Sequence, residues 1–189
     1  MRYDVINKMI KKYNLKKYLE IGVRRPNDNF NKIEIENKTG VDPDPNANAT
    51  YVMTSDEFFI KYADKFDIIF IDGMHEAHQV YKDIKNGLNH LNAGGVIVLH
   101  DCNPPCAERA IDFEDWNGKD AWNGDCWKAF VKYRYESQYE CYVVNDDTGC
   151  GIIDTNNKTK ISPRKYSIGE MTYKDLVQKR KELLDLRNP

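Results

Sequence analysis

The feature that most restricts the fold is a pair of apolar runs, "FDIIFID" at residues 66–72 and "GVIVLHD" at residues 95–101, separated by a segment of helical period. Each run has the length of a strand and is rich in Ile, Val and Phe, as expected where both faces of a parallel sheet are covered. Between them "HEAHQVYKDIKNGLNHL" carries Val80, Ile84, Leu88 and Leu91 on one face, and "NAGG" follows with glycines suited to a left-handed helix cap. Strand, crossover helix and parallel strand make one unit with a right-handed connection. All four histidines lie between Asp67 and Asp101, and an acid ends each apolar run.

The flanking segments extend this unit. Val5, Ile6, Met9 and Ile10 recur at helical spacing, predicting an amphipathic lead-in helix from Tyr3 to Tyr13. "KKYLEIGV" predicts a strand ending at Gly22, and "TGVDPDP" a second that stops at prolines unable to donate to a ladder. "TYVMTSDEFFIKYADKF" predicts a short third strand and a helix capped by Thr54 or Ser55. Residues 103–124 are rich in Pro, Asp, Asn, Gly and Trp without a sustained period, the composition of a long functional loop. A helix over "DCWKAFVKYRYE" and an antiparallel hairpin over "YECYVVNDDTGCGIID" follow. The expected architecture is α/β, with three layers and a mostly parallel doubly wound sheet ending in an antiparallel hairpin. Residues 1–155 form the domain; 156–189 form a linker and charged helix packed on it or extending from it.

The chain has 189 residues, enough for one domain, and a net charge of −2 that exerts no general pull on nucleic acid or an anionic membrane. A small-molecule partner fits this balance, and self-association is left open. The first residues lack the apolar core of a signal peptide and no run is long enough to span a membrane, so a cytoplasmic location is expected. Five cysteines without a CxxC pair argue for inert thiols rather than a zinc site or a disulfide framework.

Ligands of open α/β sheets bind beyond the carboxyl ends of the strands. Glu20 to Gly22, Asp42, Asp72, His100 and Asp101 all fall at or just after such ends. Asp42 lies twenty residues after Gly22, a separation at which an acid can accept hydrogen bonds from a ribose. The first turn, "EIGVRRPNDNF", has one glycine where a dinucleotide pyrophosphate needs several, which argues against a nicotinamide or flavin site.

The blocks "YLEIGV", "GVDPDP", "TSDEFF", "FDIIFIDGMHEAHQVYKDI", "NAGGVIVLHDCNPP", "WNGDCWKAF" and "DTGCGIID", in this order, resemble the class I S-adenosylmethionine-dependent methyltransferases. They are most similar to a bacterial subgroup of short enzymes linked to sugar or glycan modification. The resemblance implies a Rossmann-like methyltransferase fold and S-adenosylmethionine as cofactor. It implies that Glu20 and Gly22 form the first cofactor turn, that Asp42 binds the ribose hydroxyls, and that Asp56, with Ser55 beside it, lies near the adenine amine. Ser55 and Asp56 also suit a helix-capping role, and the two are compatible. The short "RRPNDNFNKI" departs from the family by leaving little room for a long helix after the first strand.

A hydroxyl acceptor must lose its proton as a methyl group arrives. His75 and His100 suit a base near neutral pH, with Asp101 beside them. Alternatively Asp72, counted also among the cofactor contacts, and Asp101 hold Mg²⁺ or another divalent cation, and Asn103 adds a neutral oxygen. Trp116, Trp122, Asp125 and Trp127 could cover the acceptor and exclude water. The expected function is O-methylation of a small polyhydroxylated acceptor, a sugar or glycan-related molecule. The alternative is a non-catalytic nucleoside-binding scaffold, motivated by the unusual first loop.

Overall fold

The computed structural model describes residues 1–189. One sheet contains eight strands: β1 (Lys17–Ile21), β2 (Asn37–Asp42), β3 (Tyr51–Val52), β4 (Phe66–Ile71), β5 (Leu91–Leu99), β6 (Tyr139–Val144), β7 (Cys150–Lys158) and β8 (Leu186–Arg187). Their order is β3-β2-β1-β4-β5-β7-β6-β8. The first five are parallel, and β7 lies antiparallel between β5 and β6. Five helices pack on it: α1 (Arg2–Tyr13), α2 (Ser55–Lys61), α3 (Ala77–Asn89), α4 (Cys126–Glu136) and α5 (Tyr173–Leu184).

The two apolar runs are continuous because each strand feeds two cores. Ile69 and Ile71 of β4 join Ile97 and Leu99 of β5 in the core beneath α2 to α5. Their neighbours Ile68, Phe70, Val96 and Val98 join Val5, Ile6, Met9 and Ile10 of α1 on the opposite face. Each such side chain, fully removed from water, contributes roughly 1.5–3 kcal/mol, so a polar residue at any of these positions would open one core or the other.

Three local features differ from the sequence expectation or sharpen it. Helix α3 is not closed by the "NAGG" glycines. It ends at His90, with φ −104°, and those residues already belong to β5. Gly94, at φ 76°, instead lies where the pairing of β4 with β5 changes register, a bulge of the kind glycine permits. Between β1 and β2 there is only a short 3₁₀ turn, Phe30–Lys32, so α1 with Ile33 and Ile35 covers that face. The charged C-terminal helix begins at a reciprocal capping box of Thr172 and Asp175. It buries Leu176, Leu183 and Leu184 in the larger core, and β8 then pairs with β6. No helix is long and apolar enough to cross a membrane.

Candidate active site

The parallel strands end level with one another, and this places the polar residues that follow them side by side. Ile71 is in register with both Ile21 and Leu99. The ladder then runs one residue further: Asp72 N donates to Ile21 O at 2.8 Å and His100 N to Ile71 O at 3.1 Å. Gly22 sits beside them at φ 87°, where a Cβ would overlap the Asp72 carbonyl. Glycine is required there for the first turn to pass the end of β4.

Beyond this edge the side chains of Asp72, His75, His100 and Asp101 converge. His75 Nε2 lies 3.4 Å from Asp72 Oδ1, and its Nδ1 lies 3.2 Å from Asp101 Oδ2. His100 Nδ1 is 3.2 Å from Asp72 Oδ1 and 3.3 Å from Asp101 Oδ1. Its Nε2 faces Asp147 Oδ2 at 3.7 Å. Asp147 and Thr148 come from the β6–β7 turn, and Thr148 Oγ1 donates to Asp101 Oδ1 at 2.5 Å. Arg2, at the start of α1, reaches in with Nε 3.7 Å from Asp72 and Nη1 3.3 Å from Asp147. Asp101 itself is held at φ 57°, a left-handed conformation that Asp tolerates better than most residues.

The stretch 122–125 clamps the cluster from outside. Trp122 stacks on His75 with centroids 5.2 Å apart and planes at 23°, and Trp116 stacks on Trp122 at 5.0 Å. Asn123 Nδ2 donates to Asp101 Oδ1 at 2.5 Å. Asp125 accepts from Ala77 N at 2.5 Å, and its own N–H donates to His75 O at 3.1 Å. The loop therefore fixes His75 and Asp101 from one side. Trp127 is no part of such a cover, because it is fully buried in the core as a residue of α4.

Charge balance follows from this packing. Burial works against ionisation of Asp72, but attraction from His100 and the contact with His75 outweigh it and hold its pKa below the ordinary carboxylate value. Burial would likewise lower the pKa of each histidine; the surrounding carboxylates, Asp72 foremost, raise both instead, His100 well above its usual value. The contact with His100 lowers the pKa of Asp147, with Arg2 adding to the effect.

The residues gathered here fit a divalent metal ion by chemistry and by reach. One ligand atom from each of Asp72, His75 and Asp101 lies within 4.8 Å of the others, and two carboxylates with an imidazole suit a divalent cation. His75 Nδ1 is buried without a hydrogen-bond partner although it faces Asp101. Asn103 is not brought into this group: its amide oxygen accepts from Arg180 and its Nδ2 donates to Asn145 Oδ1 at 2.9 Å.

The residues expected on the cofactor side lie along the neighbouring strand ends. Asp42 is buried, with Oδ2 accepting from Arg24 N and Oδ1 from Asp44 N, both at 2.8 Å. Each oxygen keeps a lone pair for a further donor. Arg24, two residues after Gly22, takes φ 48°, a conformation glycine would adopt without penalty. Thr54 is the cap of α2, in a capping box with Glu57. Ser55 and Asp56 turn toward α3, where each accepts from Gln79 at 3.3 Å and Asp56 pairs with Lys82 at 2.6 Å. They are thus not drawn into the histidine and aspartate cluster.

A family described as a methyltransferase domain matches residues 31–102. Among solved structures, a protein from Staphylococcus aureus assigned as a caffeoyl-CoA O-methyltransferase superposes with a TM-score of 0.57 at 17% identity, over 81% of this chain and 82% of that one. A methyltransferase from Podospora anserina bound to S-adenosylhomocysteine gives 0.57 at 15%, over 84% and 78%. This is the Rossmann-like methyltransferase fold. An O-methyltransferase from Bacillus cereus, also bound to S-adenosylhomocysteine, gives 0.53 at 14%, over 80% and 78%. No curated protein sequence matches the chain.

Beneath the first turn of this methyltransferase fold, Glu20 is buried and accepts from Tyr18 Oη at 2.5 Å and Asn29 Nδ2 at 2.9 Å. Burial raises its pKa to about 8, against the pull of those two donors. A folded-state value above the unfolded one means stability that is complete below the ordinary carboxylate range and declines as pH rises toward 8. Glu20→Gln keeps the shape without the charge. In urea unfolding of the ligand-free protein, the wild type is expected to lose on the order of a few kcal/mol between about pH 5 and pH 9 relative to the variant. Parallel pH profiles for the two proteins would show that Glu20 ionises normally.

Proposed function

We propose that this protein transfers the methyl group of S-adenosylmethionine to a hydroxyl of a small polyhydroxylated acceptor of the carbohydrate class. The observation that carries the reading is the convergence of Asp72, His75 and Asp101 at the ends of β4 and β5, next to the Gly22 turn and Asp42. When bound, S-adenosylmethionine supplies an electrophilic methyl on a sulfonium, and a divalent cation would supply positive charge favouring the deprotonated acceptor hydroxyl. The chain's own part is to bind and orient. Asp42, fixed by two backbone amides, accepts from the ribose hydroxyls. Asp72, His75 and Asp101 would hold the cation, and Trp122 with Asn123 keeps two of those residues in place and limits water.

The arrangement favours the cation over a histidine base. Both ring nitrogens of His100 face carboxylates, and so do both of His75. His100 thus leaves no nitrogen free to take the acceptor proton, whereas His75 Nδ1, buried without a hydrogen-bond partner, is the nitrogen that would hold the cation. A non-catalytic nucleoside-binding scaffold is the second reading, favoured by Arg24 standing in a left-handed position of the first turn. Binding without turnover on polyol acceptors would select it.

Calorimetry with S-adenosylhomocysteine tests the cofactor assignment. The folded wild type is expected to bind, and Asp42→Ala to bind roughly 10- to 100-fold more weakly, because two hydroxyls lose a charged acceptor. No binding by folded wild type would overturn the reading; undiminished binding by the variant would move the ribose elsewhere.

A further inference from the structure

We propose that the recess beside the cluster receives an oxyanion carried by the acceptor and that Arg180 recognises it; this rests on the methyl-transfer reading above. The recess has a volume of about 220 Å³ and no hydrophobic residue in its lining. Its walls are Asn103 and Pro105 after β5, the 145–148 turn, and Arg180 of α5. Two of those wall residues, Asp147 and Thr148, also contact His100 and Asp101. A molecule seated here therefore borders the groups assigned to the chemistry.

The lining carboxylates already have cationic partners. Asp147 faces Arg2 at 3.3 Å and His100 at 3.7 Å, and Asp146 accepts from the Met1 ammonium at 2.7 Å. Arg180 differs. Its Nη1 donates to Asn103 Oδ1 and, at 2.9 Å, to Pro104 O; its Nη2 donates to Tyr173 Oη at 3.1 Å. All three acceptors are neutral, and Arg180 is absent from the ion pairs of the chain. A half-buried guanidinium thus lines a polar recess with its charge uncompensated. Three of its five N–H groups are used, which leaves the Nε–H and one Nη2–H for a two-point contact with a carboxylate or phosphate. The amides of Asn103 and Asn145, with the Thr148 hydroxyl, offer the mixed donors and acceptors that sugar hydroxyls need.

The protein, with S-adenosylhomocysteine present, should be titrated with D-glucuronate, D-glucose 6-phosphate and D-glucose. At least one of the two anions is expected to bind ten times more tightly than glucose or better, and the one that does identifies the oxyanion. Arg180→Gln is expected to weaken that anion roughly 10- to 100-fold and leave glucose unchanged. Asn145→Asp, an exposed change on the wall, is expected to weaken the same anion severalfold and serves if the first variant does not fold. Equal affinity for anions and glucose, or anion affinity unaltered in the folded variants, would overturn the inference. Failure of S-adenosylhomocysteine itself to bind would strike the methyl-transfer reading instead, so the two failures are distinguishable.

Discussion

Asp101→Ala is expected to lower methyl transfer by roughly 10²- to 10⁴-fold while leaving S-adenosylhomocysteine affinity nearly unchanged. Asp101 accepts from Asn123 and Thr148 and faces both histidines. Its removal deletes one of three candidate cation ligands, an acceptor of Asn123 and Thr148, and a carboxylate facing both histidines. Because those losses also destabilise the fold, Asp101→Asn is the sharper comparison. It preserves the shape and the bonds from Asn123 and Thr148 but removes the charge. Unfolding by urea and initial rates should then separate, with stability largely kept and rate lost. Full activity in a stable Asp101→Asn protein would remove the Asp101 charge from the chemistry.

Gly124→Ala carries the second large effect. Gly124 has φ 60°, and a Cβ there would run into the carbonyl oxygen and Cβ of His75. The backbone of the clamp or of the β4–α3 turn must move, and neither is free. Asp125 N binds the His75 carbonyl, while Asp125 Oδ1 holds Ala77 N. The expected cost is about 2–4 kcal/mol of stability. Turnover is expected to fall by about 10²-fold through misplacement of His75. Near-wild-type unfolding and turnover would mean that the clamp yields easily and does not position His75.

The β4–α3–β5 unit was legible because its strands bury both faces, so their composition is apolar without interruption. The same carboxyl-end rule pointed to Asp72, His100 and Asp101, which the register of β1, β4 and β5 sets side by side. Asp147 and Thr148 escaped notice because their turn reads as a hairpin connection. Yet β6 runs parallel to β5, with β7 antiparallel to both, so its carboxyl end reaches the same rim and the rule applies to it as well. Arg2 has no spacing signal, since its approach to Asp72 depends on how α1 docks across the sheet. Asn123 lies in an aromatic, aperiodic stretch whose path is set by contacts with His75 and Asp101. At α2 the pattern Thr54-x-x-Glu57 was a capping box, and the neighbouring Ser55 and Asp56 turn to α3.

The most direct measurement is diffraction from crystals grown with manganese and S-adenosylhomocysteine, recorded at the manganese absorption edge. The expected result is one anomalous peak bounded by Asp72, His75 and Asp101, with the nucleoside ribose on Asp42 and its amino-acid end at the Gly22 turn. Nucleoside density away from Asp42, or a cluster that stays free of manganese while the ion binds elsewhere, would contradict the account.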